Sequence, residues 1–188
     1  MPDLSAIRRP PLAGQTLRAE PALFLQAVPP EARFILRARP AARAAAAAAF
    51  GAEPPQTACR AATGGGRAAL WLGPDEWLLL APDAEGPAVQ AALSAALAGL
   101  PHALVDIGHR QAGLVVRGAA AATVLAAGCP LDLDPAAFPP GMCTRTVLGK
   151  AEIVLWRTGP EAFRVEAWRS FLPYVWRFLE EAATEFTG

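Results

Sequence analysis

His102 and His109 are the only histidines in the chain, and neither stands at ligand spacing from a cysteine or a second histidine. A zinc site built from one turn would need a pattern such as C-x-x-C or H-x-x-x-H. His109 follows Gly108 just after a strand, where a hydrogen-bonded structural role is expected. Gly64-Gly65-Gly66 has the composition of a phosphate loop but lacks the Lys-Ser/Thr and the G-x-G-x-x-G spacing. It also precedes a hairpin strand, so no helix N-terminus faces a phosphate there; a flexible loop is expected. Cys129, in Gly128-Cys129-Pro130, lies at a helix end, where the dipole raises rather than lowers a thiol pKa. A Cys–His pair stays open from sequence, although no G-x-S-x-G elbow supports covalent catalysis. Asp132 and Asp134, between Pro130 and Pro135, are read as turn-capping residues. No catalytic, cofactor-binding or metal-binding residue is assigned to this chain.

The composition narrows the classes further. The 188 residues are 53% hydrophobic and 18% charged, enough to bury a real core. Seventeen basic residues balance seventeen acidic ones, without the basic excess that phosphate contacts require, so no nucleic-acid partner is expected. Lys150 is the only lysine; with the heavy Ala, Gly and Pro usage this reads as GC-rich coding bias. The start shows no apolar secretory stretch, and no run of eighteen apolar residues predicts a membrane helix. Cys59, Cys129 and Cys143 are an odd set without close pairing, which predicts reduced cytoplasmic thiols.

The elements that would position any site repeat. Residues 1–30 are Pro-rich and predict either an extended arm, unfit for a central strand, or a disordered terminus. Residues 31–102 then read as one βαβββα unit: strand Phe34 to Pro40, Ala-rich helix to Phe50, strand near Cys59, hairpin around Gly73-Pro74-Asp75-Glu76, and helix Pro87 to Ala98. Residues 103–188 read as a second copy. A bridging strand, Ala103 to Gly108, comes first. Strand Gly113 to Gly118, an Ala-rich helix to Ala127, a strand through Cys143, a Gly-Pro-Glu hairpin and a helix from Phe171 follow. The turns Gly73-Pro74 and Gly159-Pro160, the cysteines Cys59 and Cys143, and the arginines Arg37 and Arg117 recur about 80 to 86 residues apart. Such register predicts a duplicated α+β fold, with antiparallel sheets covered by helices.

The last helix is the most informative surface. With Ser170 as N-cap, a 100° projection puts Phe171, Val175, Phe178, Leu179, Ala182 and Phe186 on one face. Leu172, Trp176 and Ala183 widen it on one side and Tyr174 on the other, to an arc of roughly 200° where about 100° suffices for a core. Trp176, Tyr174 and Leu172 are therefore expected at a partner interface; the other reading sandwiches the helix between the repeats.

VDIGHRQAGLVVRG (Val105 to Gly118), GCPLDLDPAAFPPGMCTRTVLGKAEIVLW (Gly128 to Trp156) and FRVEAWRSFLPYVWRFLEEAA (Phe163 to Ala183) resemble the sarcosine oxidase gamma subunit family, as does LGPDEWLLLAP (Leu72 to Pro82). The resemblance implies a structural subunit of a cytoplasmic heterotetramer that oxidatively demethylates sarcosine to glycine, with hydrogen peroxide and 5,10-methylenetetrahydrofolate as products. It implies large flavin-containing partner subunits; FAD, FMN, NAD and folate would be theirs, and zinc the smallest subunit's. The same stretches more distantly resemble the folate-binding domain of the glycine cleavage T-protein. Here its Asp-x-Ser-His strand reads Asp106-Ile107-Gly108-His109, and its acidic pair reads Ala151-Glu152. A free-standing folate-binding or one-carbon transfer protein is thus the alternative, and a pterin-responsive scaffold a third.

Overall fold

The computed structural model describes residues 10–12, 14–19 and 21–186. Strands β1 (Thr16–Ala19) and β2 (Leu23–Ala27) form an antiparallel hairpin. Strand β3 (Glu31–Ala38) leads into α1 (Pro40–Phe50), opened by a first-turn proline and closed by Gly51 at φ 77°, where a left-handed residue suits a glycine. Strands β4 (Ala61–Gly64), β5 (Arg67–Gly73) and β6 (Glu76–Pro82) follow, then α2 (Gly86–Ala96) and β7 (His102–Asp106). The second series is β8 (Gln111–Arg117), α3 (Ala121–Ala126), β9 (Cys143–Leu148), β10 (Ala151–Gly159), β11 (Ala162–Trp168) and α4 (Leu172–Ala182).

Two antiparallel sheets result, ordered β1-β2-β8-β11-β10-β9 and β4-β5-β6-β3-β7. They stack face to face, joined by an apolar seam of Ala68, Leu70, Leu78 and Leu80 from one sheet and Cys143 and Val154 from the other. The alternate side chains of each strand point outward, as a period of two demands. Phe34, Leu36, Trp77 and Leu79 meet Ala46 and Phe50 of α1 and Val89 and Leu93 of α2. Leu114, Val116, Leu155 and Val165 meet Val124 of α3 and Val175 and Leu179 of α4. The order of layers is helix, sheet, sheet, helix. The predicted α+β class stands.

The sheet orders carry the duplication. Strands β4-β5-β6-β3 of the first series correspond to β9-β10-β11-β8 of the second. One position further out, β7 lies beside β3 and β2 beside β8. Each of these flanking strands immediately precedes one series yet pairs with the other. The two halves exchange their leading strands.

This arrangement corrects the arm. Residues 16–19 and 23–27 are β1 and β2, and β2 sits inside the larger sheet. Pro21, Pro29 and Pro30 flank β2 instead of interrupting it, so no ladder bond is lost. Residues 1–9 of the expected arm lie outside the described residues. The strand expected near Cys59 is β4, which begins two residues on, just after a bridge from Arg60 to Met142, with Cys59 at φ 58°. Gly65 and Gly66, at φ 56° and 77°, make the tight β4–β5 turn, a two-residue loop that needs positive φ twice. The glycine run is thus a hairpin turn and not a flexible loop.

Candidate functional site

Four charged side chains cross the space between the sheets. Arg33 of β3 donates from Nε to Glu166 Oε2 of β11 (2.7 Å), and both side chains are only 1% exposed. Arg164 donates to Glu166 (Nε to Oε1, 2.9 Å) and pairs with Glu31, which also accepts from Arg33. Burial alone would push the Glu166 carboxyl up, but the guanidinium groups of Arg164 and Arg33 outweigh it and hold the carboxyl below its ordinary value of 4.5. A second bridge joins Glu76 of β6 to Arg37 of β3 (2.8 Å) and to Arg145 of β9. Here too burial raises and the two arginines lower, leaving the Glu76 carboxyl below its ordinary value.

Both lowered carboxyls stabilise the fold in their charged form. Their contribution is complete above about pH 4.5, the ordinary value, and disappears as pH falls through the lower native values. Thermal unfolding should hold its midpoint from pH 7 to about 5 and drop below that. A midpoint rising between pH 5 and 3 would contradict this assignment.

Beyond these bridges the sheets splay apart. A cleft of about 410 Å³ is lined by Gln111, Arg145, Val147, Glu152, Val154 and Trp168. An adjoining hollow of about 360 Å³ adds Ile35, Val105, Ile107 and Arg110. Arg110 stacks over Trp168, its guanidinium carbon 4.0 Å from the ring centroid, a geometry that favours cation–π attraction. Gln111 Oε1 is buried without a donor. The arrangement suits recognition by an aromatic surface with fixed charges.

Most chemically suggestive residues of the sequence lie elsewhere. His102 Nδ1 bonds to the Leu100 carbonyl (2.8 Å), while His109 is exposed. Asp132 and Asp134 accept from the N–H groups of Asp134 and Ala136, as turn residues do. Cys143 donates its N–H to the Cys59 carbonyl, so these thiols are spatial neighbours that their sequence separation hid; all three cysteines are free. Burial pushes the Cys143 thiol up to about 12. Among the described residues no three His, Cys, Asp or Glu side chains converge as metal ligands, and no helix is long and apolar enough to cross a membrane. Of the acidic-pair positions, Glu152 faces the cleft and Ala151 is buried.

Helix α4 buries two of the three residues expected at a partner interface. Leu172 and Trp176 are 1% and 5% exposed, within the core beneath the larger sheet. The buried stripe runs Leu172, Val175, Trp176, Leu179 and Ala183, while Phe171 is exposed. The core face is rotated towards Trp176 because the N-terminal hairpin reaches that flank. Leu12 and Leu17 join the same apolar cluster, and Gln15 shares a groove with Trp176. Phe171, not Ser170, is the N-cap, and it makes no side-chain cap bond. Tyr174 stays partly exposed, its hydroxyl accepting the Lys150 N–H. Sequence reasoning missed Arg110, Gln111 and Trp168; an arginine and a tryptophan at the ends of two strands were the available signal.

Residues 36–185 match the model of the sarcosine oxidase, gamma subunit family. A sarcosine oxidase subunit gamma from an Arthrobacter species is 39% identical over 79% of this chain and 72% of its own. Another, from Corynebacterium sp. strain U-96, is 35% identical over 100% and 96%. Among solved structures, a chain of heterotetrameric sarcosine oxidase from Corynebacterium sp. U-96, in complex with pyrrole 2-carboxylate, superposes with a TM-score of 0.88. It is 34% identical and covers 96% of this chain and 97% of that one. Glycine cleavage system aminomethyltransferase T from Bartonella henselae gives a TM-score of 0.63 at 12% identity, over 82% of this chain and 44% of that one; at that identity the likeness is one of fold.

Proposed function

The chain belongs to the sarcosine oxidase gamma subunit family, and from that premise we propose that it is the non-catalytic, structural gamma subunit of the heterotetramer. The carrying observation is the end-to-end match, 97% of the solved chain, to a component of heterotetrameric sarcosine oxidase. The buried charges support a structural role: Arg33, Glu76, Arg157 and Glu166 are all hydrogen-bonded within the chain. None is left poised as a general acid or base. In this reading the partners are large flavin-containing subunits. FAD, FMN, NAD and folate belong to them and zinc to the smallest subunit. The assembly works in the cytoplasm and converts sarcosine, dioxygen and tetrahydrofolate to glycine, hydrogen peroxide and 5,10-methylenetetrahydrofolate.

Co-expression with those subunits tests this. The complete assembly should release peroxide from sarcosine, whereas this chain alone should show neither flavin absorbance nor peroxide release. Peroxide from the isolated chain would overturn the non-catalytic role. A tetrahydrofolate-dependent rise in its melting temperature would favour the free-standing folate-binding alternative.

A further inference from the structure

Strand β7 is an edge strand whose inner side ought to be covered by the opposing sheet. Yet Val105, paired with the seam residue Ile35, is 51% exposed. Val147 and Trp168, each 39% exposed, open onto the same splayed region. Two valines and a tryptophan bordered by an arginine have the composition of an interface core. The backbone points the same way. Ile107 N–H bonds to the Arg33 carbonyl, and alternation along an antiparallel ladder then turns the backbone groups of Leu104 away from β3, to the open edge.

The polar groups select the occupant. Gln111 Oε1 is buried without a donor, and Glu152 is exposed with no ion pair among the described residues. Both line the cleft, and both are acceptors. The neighbouring Arg145 is already engaged by Glu76. A cleft with vacant acceptors beside an aromatic face calls for a planar donor, and a guanidinium offers five N–H groups in a fixed fork.

We propose that an extended, arginine-bearing segment of a partner subunit docks here. It adds along the free edge of β7, covers Val105 and Trp168, and places its guanidinium between Glu152 and Gln111. This rests on the chain being an oxidase subunit.

Val105→Asp and Glu152→Arg are to be co-expressed with the remaining subunits beside the wild-type chain. Both residues are exposed, so melting of the isolated chain should hardly change. Recovery in the assembly should fall at least about tenfold for each, and Glu152→Asp should restore most of it. A photo-crosslinker at position 105 should capture a partner peptide with an arginine close to the linked residue. Full retention of both variants would overturn the site while leaving the subunit role standing. So would a crosslink to a second copy of this chain, or to a partner peptide without arginine. Failure of the wild-type chain itself to join any partner would overturn both.

Discussion

Glu166→Gln is expected to destabilise the chain by about 3–5 kcal/mol, the usual cost of removing one partner from a buried ion pair. The amide keeps the shape of the carboxylate but not its charge. Arg33 would then sit 1% exposed, with Glu31 as its remaining carboxylate partner. Glu31 already pairs with Arg164, so one carboxylate would face two guanidinium groups. A domain's whole stability is about 5–15 kcal/mol, so the loss would be a large part of it. Urea denaturation of the isolated variant measures this directly. The double variant Arg33→Leu/Glu166→Leu should lose less than the two single losses combined, because the charges leave together. A Glu166→Gln loss below about 1 kcal/mol would show that the bridge holds little.

Trp176→Glu should unfold the isolated chain. A buried tryptophan truncated to alanine costs about 3–5 kcal/mol, and glutamate adds the penalty of an unpaired charge in an apolar site. Phe171→Glu, five residues earlier at the exposed N-cap, should leave melting almost unchanged. Circular dichroism and thermal melting of the two variants make the comparison. A folded Trp176→Glu chain would return Trp176 to the surface and restore it as an interface candidate.

What the sequence made legible was local or repeated. The Gly73 and Gly159 turns marked both hairpins, and the recurrence of turn, cysteine and arginine about 80 to 86 residues on disclosed the duplication. The hidden features depend on contacts between distant segments. A helical projection of α4 counts its own side chains only, so it could not anticipate the N-terminal hairpin arriving at Trp176. The prolines around β2 look identical whether they frame a strand or break one. Nothing in the spacing of Arg33 and Glu166 links them, because two sheets must first stack. Of the cleft, only Glu152 stood out beforehand, through its place in the acidic pair; Arg110 and Trp168 become partners only when β8 and β11 align.

The exchanged strands also set an order of events during synthesis. Strand β2 emerges early but has no sheet to complete until β8 is made. Arg33 waits 133 residues for the Glu166 carboxylate. At about 5–20 residues per second that delay is about 7 to 27 s. Throughout it, the first half carries Arg33 with only the neighbouring Glu31 carboxylate beside it, on the face meant for the second sheet. The nascent first half cannot finish as a separate domain, and the chain closes cooperatively only when translation is nearly over.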